Sequence, residues 1–136
     1  MGRNYTEVYM HFVWATKNRE PWLTERIRKD VHAVIFEKCK QLECLPIAVG
    51  GMEDHVHLLS ELRPSLSISE LMKEVKGVSS HLINHVLNPD DVFRWQARFG
   101  VFSLTRKGVP RVKDYVLNQR KHHEEGPLYK DLERVT

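Results

Sequence analysis

The hydrophobic period along this chain switches between about two and about 3.6 residues in a set order, and that order restricts the fold more than any single motif. Residues 5–16 alternate as a strand, with Val8, Met10, Phe12 and Trp14 on one face and Glu7, Tyr9 and His11 on the other. After Asn18 and Pro21, Thr24 stands as the N-cap of a helix whose apolar positions Ile27, Val31, Val34, Ile35 and Leu42 recur at helical spacing to about Glu43. Pro46 leads into a second strand, Ile47–Val49, closed by Gly50-Gly51, and a third follows from His55 to Leu62. Pro64 ends it. Ser67-x-x-Glu70 is a capping-box pattern opening a second helix striped by Leu71, Met72, Val75, Val78, Leu82 and Ile83, which Asn88-Pro89-Asp90 stops. Val92–Trp95 and Val101–Leu104 read as strand pieces around Gly100, and a last helix runs from about Arg111 to Glu125, ahead of Gly126-Pro127. The result is a β-α-β-β-α-β run. It predicts an α+β, ferredoxin-like (RRM-like) antiparallel sheet with helices on one face, plus a C-terminal helix, in one domain spanning residues 1–136.

Composition narrows the class. With 41% hydrophobic and 29% charged residues, the chain has the make-up of a globular domain and not of a disordered, collagen-like or coiled-coil polymer. No apolar run approaches the ~20 residues of a membrane helix, and the N-terminus lacks the pattern of a secretory signal, so a cytoplasmic protein with no membrane partner is expected. Cys39 and Cys44 read as reduced thiols in that compartment. The net charge is +3, yet Arg106, Lys107, Arg111, Lys113, Arg120 and Lys121 face only Asp114 between positions 106 and 121. That stretch suits a phosphate-bearing partner, or equally a solvated helix face.

Two residue pairs carry candidate chemistry. His55 and His57 are two apart on a strand, so both imidazoles leave the same face about 6.5–7 Å apart, close enough to converge on one divalent cation. Glu53 and Asp54 adjoin them as supporting groups. The same spacing also occurs where histidines merely pack. On the last helix Tyr115 and Gln119 are four apart and share a face: a tyrosine hydroxyl is a nucleophile once its proton is removed, and an amide oxygen suits a hard cation. An ordinary amphipathic helix offers the same pair. His122 falls between them on the helical wheel and is an alternative third ligand, whereas His123 turns toward solvent. His11, His32, His81 and His85 have no evident partner. Of the aromatics able to stack on bases, Phe12, Trp14 and Phe102 are expected in the core, leaving Tyr5, Tyr9, Trp22, Trp95 and Phe99.

Together these motifs resemble a family. An H-U-H pair (U apolar) on a short strand, followed by a lone tyrosine and Asn-Gln on the last helix, is similar to the small single-tyrosine HUH transposases of bacterial and archaeal insertion sequences, also called transposase A type. The likeness covers nearly the whole chain. It takes in His11–Arg19, Gly51–His57, Lys73–Ser80 with Lys76-Gly77, Trp95-Gln96, Phe99-Gly100, Phe102-Ser103 and Tyr115–Gln119. Transposases associated with repetitive extragenic palindromes share this core.

The resemblance implies that His55, His57 and Gln119 bind magnesium or manganese and that Tyr115 attacks a phosphate of single-stranded DNA. It further implies a 5′-phosphotyrosine intermediate, hairpins near the element ends as substrate, and a homodimer in which the tyrosine helix, hinged near Gly108, can complete the partner's site. Arg106, Lys107, Arg111, Lys113 and Lys76 are the expected DNA contacts. Three other readings are compatible with the fold: a domesticated regulator that binds single-stranded DNA or RNA without strand transfer, a metal-independent RNA-binding module, and a metallohydrolase that uses water.

Overall fold

The structure, a computed structural model, describes residues 4–124 and 133–134, without the side chains of His122 and Glu124. Its elements follow the expected order: β1 (Tyr9–Ala15), α1 (Glu25–Gln41), β2 (Pro46–Met52), β3 (His55–Glu61), α2 (Ile68–Leu82), β4 (Gly100–Leu104), α3 (Val109–Leu117) and α4 (Gln119–Glu124). All pairings are antiparallel and the strand order is β2-β3-β1-β4. The split arrangement puts β3 and β1 in the middle, where strands are most shielded.

Alternation along the strands then separates two packed faces. Phe12 and Trp14 of β1 and Val56 and Leu58 of β3 point at α1 and α2, meeting Ile27, Val31 and Ile35 from the first helix and Leu71, Met72 and Val75 from the second. Burying one large aliphatic or aromatic side chain of this kind contributes about 1.5–3 kcal/mol, so this face dominates the core. The opposite face carries a smaller cluster in which Ala48 and Leu59 receive Val112 and Val116 of α3. The first two helices therefore share one face as expected, and the last helix covers part of the other. The capping box on α2 is formed as the sequence predicts: Glu70 N donates to Ser67 Oγ at 3.0 Å and Ser67 N donates to Glu70 Oε1 at 3.3 Å.

Several expectations are corrected. The first strand begins at Tyr9 and not at residue 5, because Glu7 instead accepts hydrogen bonds from Tyr5 and Arg106. Val92–Trp95 is not a strand. Phe93 is gripped by Asn84, whose Oδ1 accepts from Phe93 N at 2.7 Å, and Trp95 makes one isolated bridge to Thr16. Aromatic packing outcompetes pairing here: Trp95 lies 5.9 Å from Trp14 and 4.8 Å from Phe93, ring centre to ring centre, and its Nε1 donates to Ser79 Oγ at 3.0 Å. Ser79 thereby takes a place on the buried stripe of α2, while Val78 and Leu82 are only half-buried. Phe102 is half-buried beside His11 on the α3 face and not in the core, since β4 pairs it directly with His11. The expected helix 111–125 starts earlier, at Val109 with Pro110 in its first turn, and breaks at Asn118 (φ −114°, ψ 39°). Asn118 Nδ2 donates to the Asp114 carbonyl at 2.8 Å, a side-chain bond of the kind that competes with helix continuation. Both cysteines are free thiols and buried, and burial pushes the Cys39 thiol up to about 12. Among the described residues no helix is long and apolar enough to cross a membrane.

Candidate active site

His55 and His57 sit on the central strand β3 and face α3, both fully buried. Each ring is held at Nδ1 by a different group, which turns Nε2 inward. Asp54 Oδ1 lies 2.8 Å from His55 Nδ1, and Asp54 is itself paired with Arg19 at 3.1 Å. His57 Nδ1 lies 2.8 Å from Nε2 of His11, whose ring stacks on it at 5.0 Å. Fixing one ring nitrogen in this way sets the tautomer and aim of the other.

The tyrosine reaches these histidines because Gly50 lets the helix come close. Gly50 is registered opposite His57 in the β2–β3 ladder, and a Cβ on it would overlap the Val116 carbonyl oxygen and stand 2.8 Å from the carbonyl carbon. Without that side chain α3 lies directly on the strand, and Tyr115 is buried edge-on to His57 with ring centres 5.7 Å apart. Gln119 follows across the break at Asn118. Its Nε2 donates to the Tyr115 carbonyl at 2.9 Å, so its Oε1 is directed to His55 Nε2 at 3.2 Å. The structure thus brings His55, His57, Tyr115 and Gln119 of a single chain together.

Three residues at the site escaped the sequence reading. Glu133 places Oε1 3.2 Å from His55 Nε2 and Oε2 3.0 Å from His57 Nε2, and its Oε2 accepts a hydrogen bond from the Tyr115 hydroxyl. No periodicity links position 133 to His55 and His57, more than 75 positions earlier. His123 is exposed, as expected, yet its Nε2 lies 3.1 Å from Gln119 Oε1, a contact the sequence did not suggest. His11 is the third; the family likeness took it in with His11–Arg19, but only the β1–β3 register shows that it sits beside His57. The alternative ligand His122 has its side chain outside the described residues.

Electrostatics follow from burial and these partners. Burial lowers the His55 imidazole, but hydrogen bonds to Asp54, Glu133 and Gln119 outweigh it and raise it to about 9. Burial dominates for His57 and lowers it, and for His11 it does so down to about 3, so His11 is neutral beside its partner. Glu133 would be raised by burial, yet the two histidines hold it well below the usual carboxylate range. The site brings together two imidazole Nε2 atoms, an amide oxygen and a carboxylate, and His55 must release its Nε2 proton before it can ligate a cation. The ligand atoms of His55, His57 and Glu133 lie within 4.8 Å of one another. His57 Nε2, despite its short approach to Glu133, is a buried nitrogen with no directed hydrogen bond. Such a donor set fits a hard divalent cation with oxygen and imidazole ligands. A cleft of about 500 Å³, lined by Arg19, Pro21, Met52, Glu53, Asp54, His55 and His123, opens onto it.

The basic candidates divide. Lys76 donates to the carbonyls of Gln96 at 2.7 Å and Ala97 at 3.3 Å, bracing the segment before β4. Arg106 binds Glu7 and the Tyr5 hydroxyl. Lys107, Arg111 and Lys113 lie on the exposed surface.

Fold and site together define a small α+β protein in which a buried tyrosine meets two histidines, an amide and a carboxylate. The chain belongs to the family of IS200-like transposases, whose family model matches residues 4–119. It is 26% identical over 121 residues to the transposase for insertion sequence element IS200 of Salmonella typhimurium, covering 85% of this chain and 79% of that protein. The Salmonella typhi transposase for the same element matches equally. A putative transposase from Deinococcus radiodurans superposes with a TM-score of 0.67 at 25% identity, over 88% of this chain and 96% of that one. A REP-associated tyrosine transposase bound to a REP hairpin has the same fold, with a TM-score of 0.67 at 18% identity over 91% and 73% of the two chains.

Proposed function

We propose that this transposase cuts and rejoins single-stranded DNA through a covalent bond to Tyr115, taking hairpins near the ends of its mobile element as substrate. The observation that supports it best is that the Tyr115 hydroxyl and His57 Nε2 both meet one atom, Oε2 of Glu133, so nucleophile and candidate cation ligands converge on one point. The Tyr115 oxygen attacks phosphorus and forms a 5′-phosphotyrosine, while the bond from phosphorus to the 3′ oxygen breaks. The phenol releases one proton and the departing 3′ oxygen takes one up. Attack by another 3′-hydroxyl reverses these bonds and joins new ends without an external energy source. Magnesium or manganese, held by His55 Nε2, His57 Nε2 and Gln119 Oε1, would polarise the scissile phosphate and offset charge building on its oxygens. Asp54 and His11 keep the two imidazoles aimed, and Gln119 ties the tyrosine's backbone to His55. An element has two ends and each chain one such tyrosine, so a homodimer is the working unit, with each active site assembled within one chain. A hairpin-bound structural relative is consistent with the substrate.

A covalent-adduct assay on denaturing gels tests this. Single-stranded oligonucleotides from DNA flanking the gene, with manganese or magnesium, should give a denaturant-resistant adduct that chelator, Tyr115→Phe and His57→Ala abolish and that duplex DNA does not form. An adduct surviving Tyr115→Phe would refute the nucleophile. Tight hairpin binding with no adduct would favour the regulator.

A further inference from the structure

Glu133 lies beyond the span 4–119 that matches the family, yet it is the only carboxylate among the described residues that touches both imidazole Nε2 atoms. We propose that Glu133 is a ligand of the site's divalent cation, so that two imidazoles and one carboxylate form the primary set beside the Gln119 amide. The inference rests on the metal-dependent reading above.

Three observations carry it. The carboxylate presents one oxygen to each histidine, which puts it across the gap between their inward nitrogens. Among the described residues it is also the one carboxylate placed between the inward nitrogens: Asp54 is turned to the far side of the His55 ring. Without Glu133, a dication would find only neutral donors among the described residues of this cluster, although magnesium and manganese prefer charged oxygen. Finally, Gln119 Oε1 already has two hydrogen-bonding neighbours, His55 and His123, which suits an amide that orients ligands as well as one that binds. Two imidazoles and a carboxylate on one side of an octahedral ion leave its other positions open to phosphate oxygens. Because the Tyr115 hydroxyl donates to the same carboxylate, Glu133 also links the nucleophile to the cation.

The competing view makes Glu133 a counter-ion that lies on the histidines and must leave before a cation binds. The two predict opposite signs. Manganese is titrated into wild-type protein, Glu133→Gln and Glu133→Ala, following free ion by electron paramagnetic resonance, with thermal melts of each metal-free protein to check folding. Loss of the ligand should weaken manganese binding at least tenfold in both variants and abolish the metal-induced rise in Tm, with metal-free melting little changed. Binding as tight as wild type, or tighter, overturns the inference. Glu133→Gln keeps the size of the side chain, so it decides the matter if the alanine variant folds poorly. Wild-type adduct formation is measured alongside. Adduct in the wild type with unchanged manganese binding in the variants removes the ligand but leaves the function standing; Glu133-dependent binding with no adduct does the reverse.

Discussion

Replacing Gly50 with alanine should disable the enzyme without touching any group that does chemistry. The new Cβ would overlap the carbonyl oxygen of Val116 and lie 2.8 Å from its carbonyl carbon and 3.3 Å from Cγ1. Ordinary contact begins near 3.4 Å, so the carbon alone asks for at least 0.6 Å and the oxygen for more. Backbone on both sides leaves no flexible side chain to give way. Either α3 lifts by about 1 Å or β2 bends, and overpacking of this kind costs roughly 1–3 kcal/mol. In a domain of 136 residues that corresponds to a fall in Tm of roughly 3–10 °C. Tyr115 adjoins Val116, so its oxygen moves with the helix, and a displacement of about 1 Å lowers a positioned reaction by about a hundredfold. The assay is adduct formation over time together with a thermal melt. Gly77→Ala is the control: it lies on the exposed side of α2, where a Cβ meets nothing within 4 Å, and should raise stability by up to about 1 kcal/mol. Adduct formation by Gly50→Ala within threefold of wild type, at unchanged Tm, would refute the claim that this contact seats the tyrosine.

Two further outcomes are expected. His32 is held by burial down to about 4, and its Nε2 is buried without a hydrogen-bond partner. Above the ordinary value near 6.5 it is neutral folded and unfolded; as pH falls from there toward 4 only the unfolded chain takes up the proton, so stability should drop by up to about 1.4 kcal/mol per unit. Urea midpoints between pH 7 and 4.5 should fall less steeply for His32→Leu, and parallel profiles would contradict this. His11→Leu should weaken manganese binding by about 10–100-fold by leaving His57 Nδ1 without its partner, and His11→Gln, which keeps an acceptor, should recover part of it. Equal loss in both variants, read from manganese titrations at matched Tm, would mean that His11 acts only as packing.

The order of elements and half of the site were legible because both depend on local spacing. Period two put His55 and His57 on one face, and the capping pair Ser67 and Glu70 marked a helix start within one turn. Tyr115 and Gln119 were legible as neighbours, although they meet across a break at Asn118 and not along one helix, because a side chain bonding back to Asp114 ended the helix where hydrophobic pattern alone would continue it. Phe93 and Trp95 misread as strand for a related reason: their rings pack against Trp22 and Trp14, and period cannot tell an aromatic plug from a strand.

What the sequence determined by itself was the split α+β sheet, the paired histidines and the family likeness, all written in patterns a few residues long. Tertiary structure decided the rest. It laid α3 on the open face through the bare backbone of Gly50, set His11 behind His57 by pairing β1 with β3, and brought Glu133 onto both imidazoles. Those contacts join residues 46 or more positions apart, and their energy comes from excluding water around polar groups that must then satisfy one another. No local propensity encodes that requirement; it exists only once the sheet has closed.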